Sequence, residues 1–299
     1  MKKIVDKQIV WTFLPKRKRD SHKGTYGKAA IVAGSLDYTG AAYLAAAACL
    51  RSGAGYTALF IPKGILPYYI LKAPEALLRV ICDGDKYAFD SAKLQELLCY
   101  DSVAYGMGMG VSEAVCRGAE WLLRHYEGRL ILDADGLNSL AEYRKGGYES
   151  LFLHKKCDVL LTPHCKEFSR LTGLSTADVI KDGENVARSW AQKYKTSVLL
   201  KNYESIITDG ECVFINRSGN SGQAKGGSGD VLSGVLAGLS AMGAKSIEAG
   251  VCGAFLTGLA ADFAAKDIGE YSLTASDLIS YLGRAFLSVT EDTHENRGE

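Results

Sequence analysis

Between Gly219 and Asp230 the chain reads Gly-Asn-Ser-Gly-Gln-Ala-Lys-Gly-Gly-Ser-Gly-Asp, and an apolar stretch of helical character, residues 231–240, follows directly. Five glycines there precede one acid. Gly227, Ser228 and Gly229 are placed to turn successive backbone N–H groups toward one point. The unpaired amides at the start of a helix, with the positive end of its dipole, bind anions. An acid beside such a place repels a phosphate, but it is useful if it faces a hydroxyl that meets the phosphoryl group. Asp230 as that acid, with the three amides as an anion hole, predicts phosphoryl chemistry on a small hydroxylated substrate. The competing reading is a Gly-rich turn in which Asp230 merely caps a helix, and the rest of the chain must decide.

A second motif is Leu161-Thr-Pro-His-Cys-Lys-Glu167. Thr162-Pro163 ends a strand and starts a helix, with Pro163 expected in its first turn. His164 then points into a crevice, and Glu167 lies near the same face. His164 reads as a substrate contact, and Glu167 as an acid holding a metal through water. By itself the spacing favours a simpler role for Glu167, satisfying the helix dipole. Lys201 emerges from an apolar strand, where a charge needs a reason. With the turn that follows, it lines a nucleotide's phosphates or ribose, or it snorkels from a strand end. Asp133 and Asp135 are expected to project to one side of a strand end, holding hydroxyls or a metal's water shell, or else capping the next turn with Asn138. Lys16–Arg19 reads as a solvated stretch. His22–Lys28 and Gly34–Ala42 read as ligand-covering loops. Neither a Gly-x-x-x-x-Gly-Lys-Ser/Thr loop nor a Gly-x-Gly-x-x-Gly fingerprint before the first helix is present.

The elements that must position these residues alternate. Short apolar strands are expected at 29–33, 57–61, 102–105, 130–132, 159–161 and 197–200, with a hairpin at 205–208 and 212–215. Helices are expected at 41–52, 91–99, 112–126, 165–172, 185–193, 231–242, 246–264 and 275–289. Residues 62–90 read as loop with short elements, and 290–299 as a polar tail. The pattern predicts an α/β fold, three layers around a mostly parallel sheet, in a single domain over 1–299 with its core at about 20–288. Ligands then bind beyond the carboxyl ends of the strands.

The 299 residues are 47% hydrophobic and 23% charged, with a formal net charge of +1. That composition is of the globular kind and gives no bulk drive toward nucleic acid or membrane. No apolar run reaches the ~20 residues needed to span a bilayer, and the start of the chain lacks a signal-peptide pattern. Eight cysteines are scattered without a Cys-x-x-Cys pair, which predicts free thiols in a reducing cytoplasm.

The motifs His22-Lys-Gly-Thr-Tyr-Gly-Lys28, Ala33-Gly-Ser35, Gly40-Ala-Ala42, Arg51-Ser-Gly-Ala-Gly55, Leu161-Thr-Pro-His164 and Gly219-Asn with Ala224-Lys-Gly-Gly-Ser-Gly-Asp230 closely resemble those of the ADP-dependent NAD(P)H-hydrate dehydratases of the ribokinase-like superfamily. The resemblance runs in order over about residues 20–285. It implies a ribokinase-like fold and a repair reaction: the S-form of hydrated NADH or NADPH returns to NADH or NADPH while ADP becomes AMP and phosphate, with Mg2+ bridging the nucleotide phosphates. Carried over by motif, Ala41, Gly108, His164 and Asp230 contact the hydrated cofactor. Lys201, Asn202, Tyr203, Glu204, Ser205 and Gly229 contact the adenine nucleotide, and Glu167 stands where relatives keep an acid linked to magnesium. The partners implied are small molecules and further copies of the chain, a tetramer being one such homo-oligomer. The sequence departs from the family at Lys166 and Asn202, where glycine is usual, and at Met107, where proline is usual. The epimerase domain that some relatives carry in front is not expected in the short stretch before the first motif. The rival readings are a kinase of a vitamin-like alcohol in the same superfamily, and a nucleotide-binding sensor without catalysis. The residues leave ADP and ATP open as donors; the resemblance favours ADP.

Overall fold

Apolar side chains fill both sets of alternating positions in most strands, so the sheet needs cover on each face. The computed structural model describes residues 2–144 and 147–295. Ten strands in these residues are β1 (Lys2–Ile4), β2 (Lys28–Val32), β3 (Tyr56–Pro62), β4 (Leu77–Cys82), β5 (Ser102–Tyr105), β6 (Arg129–Leu132), β7 (Asp158–Leu161), β8 (Ser197–Leu200), β9 (Ser205–Thr208) and β10 (Val213–Asn216). They form one sheet in the order β1-β10-β9-β8-β7-β6-β5-β2-β3-β4. Pairing from β4 to β8 is parallel. β9 runs antiparallel to β8 and β10, and β1 lies parallel to β10.

The helices are α1 (Lys7–Phe13), α2 (Thr39–Leu50), α3 (Ser91–Gln95), α4 (Glu113–His125), α5 (Ala134–Tyr143), α6 (Tyr148–Leu153), α7 (Cys165–Thr172), α8 (Thr176–Lys181), α9 (Gly183–Tyr194), α10 (Ser228–Ala241), α11 (Ser246–Ile268) and α12 (Ala275–Glu295). Alternation divides them. Ile31, Leu59, Ala104, Ile131, Leu160 and Leu199 face a core shared with α1, α2, α10, α11 and α12. Their neighbours Val32, Phe60, Tyr105, Leu132, Leu161 and Leu200 face a second core under α3–α9. The α/β three-layer expectation therefore holds.

Several sequence expectations need correction. Residues 62–90, read as loop, contain β4, the sheet's edge strand. β1, α1, α5, α6 and α8 were not anticipated. α12 continues past residue 289 to Glu295, so the supposed polar tail is partly helical, and its last four positions, 296–299, lie outside the described residues. α11 has 23 residues and by length and composition alone passes as a membrane span, although 72% of its apolar window is buried inside the fold. It packs on the sheet and on α10 and α12. All eight cysteines are free, as expected.

α10 lies unusually close to α2. A Cβ on Gly234 would stand 2.1 Å from the Ala45 carbonyl oxygen, so only glycine permits this approach. The contact fixes where α10 starts, and its start is the site.

Candidate functional site

Because β2 and β5–β8 are parallel, their carboxyl ends open on one edge, and β9, running the other way, begins there. Hydrogen bonds lace the loops at that edge. The Gly34 N–H donates to the Met107 carbonyl at 2.8 Å, and the Ser35 hydroxyl donates to the Gly108 carbonyl at 2.9 Å. Gly108 sits at φ 62°, and a Cβ there would come within 2.8 Å of the Cβ atoms of Ala41 and Tyr38. The structure thus brings Ala41, in the first turn of α2, against Gly108. Met107 is fully buried, so its side chain belongs to the core and not to the crevice.

Asp133 follows β6 and is 2% exposed. Its Oδ1 accepts from Lys201 Nζ at 2.8 Å, and its Oδ2 accepts from the Ser233 hydroxyl at 2.7 Å. Burial works to raise the Asp133 pKa. The Lys201 charge and hydrogen bond, with the hydroxyls of Ser233 and Thr162, outweigh it and hold the carboxyl below its ordinary value. Burial likewise opposes the Lys201 ammonium, but Asp133 and Glu167 keep its pKa above the usual lysine value. Both groups are therefore charged. Asp135 takes a different partner, its Oδ2 accepting from the Gly110 N–H at 2.8 Å. Ala134 between the two acids lies at φ 46°, a left-handed conformation costing a residue with a Cβ about 1–2 kcal/mol.

His164 caps α7. Its Nδ1 accepts from the N–H groups of Lys166 and Glu167, each at 3.1 Å, while its own N–H donates to Glu167 Oε2 at 2.9 Å. Pro163 consequently precedes the cap and does not stand in the first turn; its carbonyl accepts from the Lys201 N–H at 2.8 Å. Glu167 is 5% exposed. Burial raises its pKa, and burial followed by the Lys201 charge lowers that of His164. Both shifts run against charge, and His164 Nε2 stands 3.4 Å from Glu167 Oε1. The cap ties up Nδ1, which leaves the ring proton on Nε2. Among the described residues no three His, Cys, Asp or Glu side chains gather as a direct metal site.

β8 ends at Leu200, and an isolated parallel bridge between His164 and Lys201 extends its pairing with β7. In the turn that follows, Asn202 Oδ1 accepts from the Tyr203 N–H at 2.9 Å, and the Ser205 hydroxyl donates to the Asn202 carbonyl at 3.4 Å. Asn202 thus braces the turn that it occupies in place of the usual glycine. Tyr203 is 91% exposed. Glu204 pairs with Arg217 at 2.7 Å. Lys166 is exposed on α7.

α10 begins at Ser228, with Gly227 as its cap at φ 96°. Asp230 is therefore inside the first turn and not at the cap. The Ser228 N–H turns back toward the Lys225 carbonyl at 3.5 Å, whereas Gly227, Gly229 and Asp230 direct their N–H groups to no backbone acceptor among the described residues. Of the three amides expected to converge, those of Gly227 and Gly229 are without a backbone acceptor, and Asp230 rather than Ser228 supplies the third. The Ser228 hydroxyl is buried without a partner. A Cβ on Gly229 would lie 3.6 Å from Lys201 Nζ, which puts the ammonium beside these amides. The Asp230 carboxyl, half-buried and without a hydrogen bond from the described residues, is pushed up to about 7 by burial and then by the Asp133 charge, against Lys201. Clefts of about 630 and 400 Å3 open elsewhere, and none of these crevice residues lines either of them.

Such an arrangement can hold a phosphoryl group on amides and one ammonium while a carboxyl takes a proton near neutrality. The sequence model of the NAD(P)H-hydrate dehydratases matches residues 29–284. The chain belongs to the NAD(P)H-hydrate dehydratase family. Among its relatives, the ADP-dependent (S)-NAD(P)H-hydrate dehydratase of Bacillus subtilis is 33% identical over 275 residues, 91% of this chain and 94% of that protein. The bifunctional NAD(P)H-hydrate repair enzyme of Thermofilum pendens is 39% identical over 285 residues, 93% of this chain but 53% of the relative. The chain thus spans about half the length of the bifunctional relatives it matches. The crystal structure of the ADP/ATP-dependent NAD(P)H-hydrate dehydratase of Bacillus subtilis, co-crystallised with ATP and Mg2+, superposes with a TM-score of 0.82 at 28% identity, covering 96% of this chain and 98% of that one.

Sequence reasoning treated Asp133 and Lys201 separately and passed over Ser233. One signal was available: a lysine leaving an apolar strand needs a counter-ion, and Asp133 is the acid at a nearby strand end.

Proposed function

We propose that the protein dehydrates the S-form of hydrated NADH or NADPH to NADH or NADPH, converting ADP to AMP and phosphate. The observation that carries this reading is Asp230, an unpartnered carboxyl with a pKa of about 7, standing in the first turn of α10 beside free amides and Lys201. Family membership favours a dehydratase over a kinase that would stop at a phosphorylated product. An acid poised to titrate is of no use to a sensor.

Hydroxide is a poor leaving group from the reduced nicotinamide ring. Asp230 accepts the hydroxyl proton as the substrate oxygen bonds to the terminal phosphorus of ADP, and the bond from that phosphorus to AMP breaks. The amides of Gly227, Gly229 and Asp230 hold the charge on the transferring group, the larger contribution in phosphoryl transfer. The ring nitrogen's electron pair then expels phosphate, and the adjacent carbon passes a proton to the departing phosphate or to water, which restores the double bond. Ala41, Gly108 and His164, the last donating from Nε2, hold the hydrated cofactor. The turn Lys201–Ser205, with Gly229, holds the adenine nucleotide, and Ser228 contributes its buried hydroxyl.

Magnesium fits this donor set. The acids Asp133, Asp135, Glu167 and Asp230 outnumber Lys201, so a polyphosphate needs added positive charge. Magnesium usually binds through phosphates, water and one or two carboxylates, and Glu167 Oε1, which takes no part in the cap and lies 3.4 Å from His164 Nε2, would hold a metal-bound water. When bound, the ion neutralises phosphate charge. In our reading the chain acts in the cytoplasm, in keeping with its eight free cysteines. It folds as one domain and assembles with copies of itself through exposed apolar residues such as Ile70, Leu71 and Leu77.

The test is recovery of nicotinamide absorbance from hydrated NADPH with magnesium and ADP, ATP or neither. Recovery that requires a nucleotide is expected, with ADP the better donor. No recovery from folded protein with either nucleotide overturns the reading.

A further inference from the structure

We propose that the Lys201 ammonium is the cation that meets the terminal phosphoryl group, and that Asp133 and Ser233 are the positioning residues that hold it there. The inference rests on the reading above that a nucleotide's terminal phosphoryl lies at the start of α10. It goes further in assigning roles to a strand-end aspartate and a buried helical serine.

An ammonium has three N–H donors. One is given to Asp133 Oδ1 at 2.8 Å, and no other hydrogen-bond partner of Nζ stands among the described residues. The remaining donors belong to a charged group whose side chain is 22% exposed, and whose Nζ lies 3.6 Å from where a Gly229 Cβ would be. Donors of that charge and place suit an anionic oxygen held at once by the first-turn amides. The lysine is also immobile at its root. Its N–H is bonded to the Pro163 carbonyl, and its backbone bridges to His164.

Both oxygens of Asp133 are engaged within the fold, Oδ1 by Lys201 and Oδ2 by Ser233. Ser233 is fully buried on α10, three residues beyond Asp230. The chain Ser233–Asp133–Lys201 therefore ties the ammonium to the same helix that carries the amides and the proton acceptor. The distance between cation and anion hole is set by two short hydrogen bonds and not by the flexible lysine stem. Asp133, Asp135 and Lys201 all act on Asp230, and Lys201 acts on His164 and Glu167 across the crevice. Removal of the lysine leaves this group of acids without its cation.

The test uses Lys201→Met, Ser233→Ala, Asp133→Asn and the double variant Lys201→Met/Ser233→Ala, with magnesium throughout. Two quantities are measured: binding of ADP against AMP by calorimetry, and turnover. Lys201→Met is expected to lose the preference for ADP over AMP and to lower kcat by roughly 10²–10³-fold. Ser233→Ala is expected to lower kcat roughly 3- to 10-fold with little change in KM, and to cost nothing more once Lys201 is gone, because it acts through that lysine. The acid limb of the pH–rate profile moves to higher pH in Lys201→Met, a shift that a purely structural serine–aspartate pair does not produce. If Asp133→Asn does not fold, Ser233→Ala carries the test alone. The proposal is overturned if Ser233→Ala costs the same factor with and without Lys201, if Lys201→Met keeps the wild-type preference for ADP, or if the wild type has no such preference. A wild type that discriminates ADP from AMP through Lys201 yet restores no nicotinamide supports this proposal and rejects the dehydratase reading.

Discussion

A carboxyl without a hydrogen-bond partner, half-buried beside the Asp133 carboxylate, keeps its proton until about pH 7. As the acceptor of a substrate proton, Asp230 must be ionised, so kcat/KM is expected to rise with pH across that value, which a pH–rate profile measures. The same shift bears on stability with a definite sign. A carboxyl whose folded pKa lies above its unfolded value costs nothing while both states are protonated; the cost grows from about pH 4 and is complete above 7. Asp230→Asn should therefore unfold later than the wild type at pH 8 and at the same point near pH 4. At ~1.36 kcal/mol per pKa unit, less the screening of a partly exposed group, the gain at pH 8 is about 1–3 kcal/mol. Turnover should fall by more than ~100-fold while ADP binding persists. Asp133 has the opposite sign. Its depressed pKa means that its ion pair with Lys201 is lost only as pH falls below the ordinary carboxylate range. Truncating it to Ala is expected to cost about 3 kcal/mol in chemical denaturation, the low end for a broken buried pair, because Lys201, 22% exposed, loses its partner.

β5, β8 and α7 could be read from sequence to the residue, because each carries a local signal: an uninterrupted apolar run between polar breaks, or a Thr-Pro-His cap before a periodic helix. β4 could not. Its residues Leu77, Arg79 and Val80 are exposed or half-covered at the edge of the sheet, and nearby prolines gave the segment the look of a loop. α5 was hidden for another reason: Ala134 enters it in a left-handed conformation, which no residue preference announces. The Gly-rich segment ending at Asp230 was legible as an anion site, but the helix was set to begin about three residues late, since Ser-Gly-Asp is a poor helical opening by propensity. What overrides propensity is packing of α10 on α2. Gly234→Ala tests that claim. Its methyl group would meet the Ala45 carbonyl, and parting the helices should cost about 1–3 kcal/mol. Because the displaced helix carries Asp230 and Ser233, kcat should drop more steeply than stability in parallel assays of both.

Across the whole molecule, the crevice draws on strand ends, loops and helix starts from residue 35 to residue 233, and all of them must be in place before it can bind anything. A nucleotide with magnesium should therefore stabilise the entire fold. Thermal unfolding at a hundredfold excess of ADP over its Kd is expected to show about 2.7 kcal/mol of added stability, and AMP less at equal concentration. The Asp133–Lys201 contact spans two strand positions in space but 68 residues in sequence, so the sequence signals that Lys201 needs a counter-ion, while the strand order identifies Asp133 as that counter-ion. The sheet order has a consequence in time. β1 pairs with β10, Lys2 against Val213, so once β1 has been made it has no partner until more than two hundred further residues have followed. At ~5–20 residues per second it waits for roughly 10–40 s. Throughout that interval the apolar side chains of α1, among them Val10, have no core to enter, and the nascent chain exposes them to whatever chaperone is nearby.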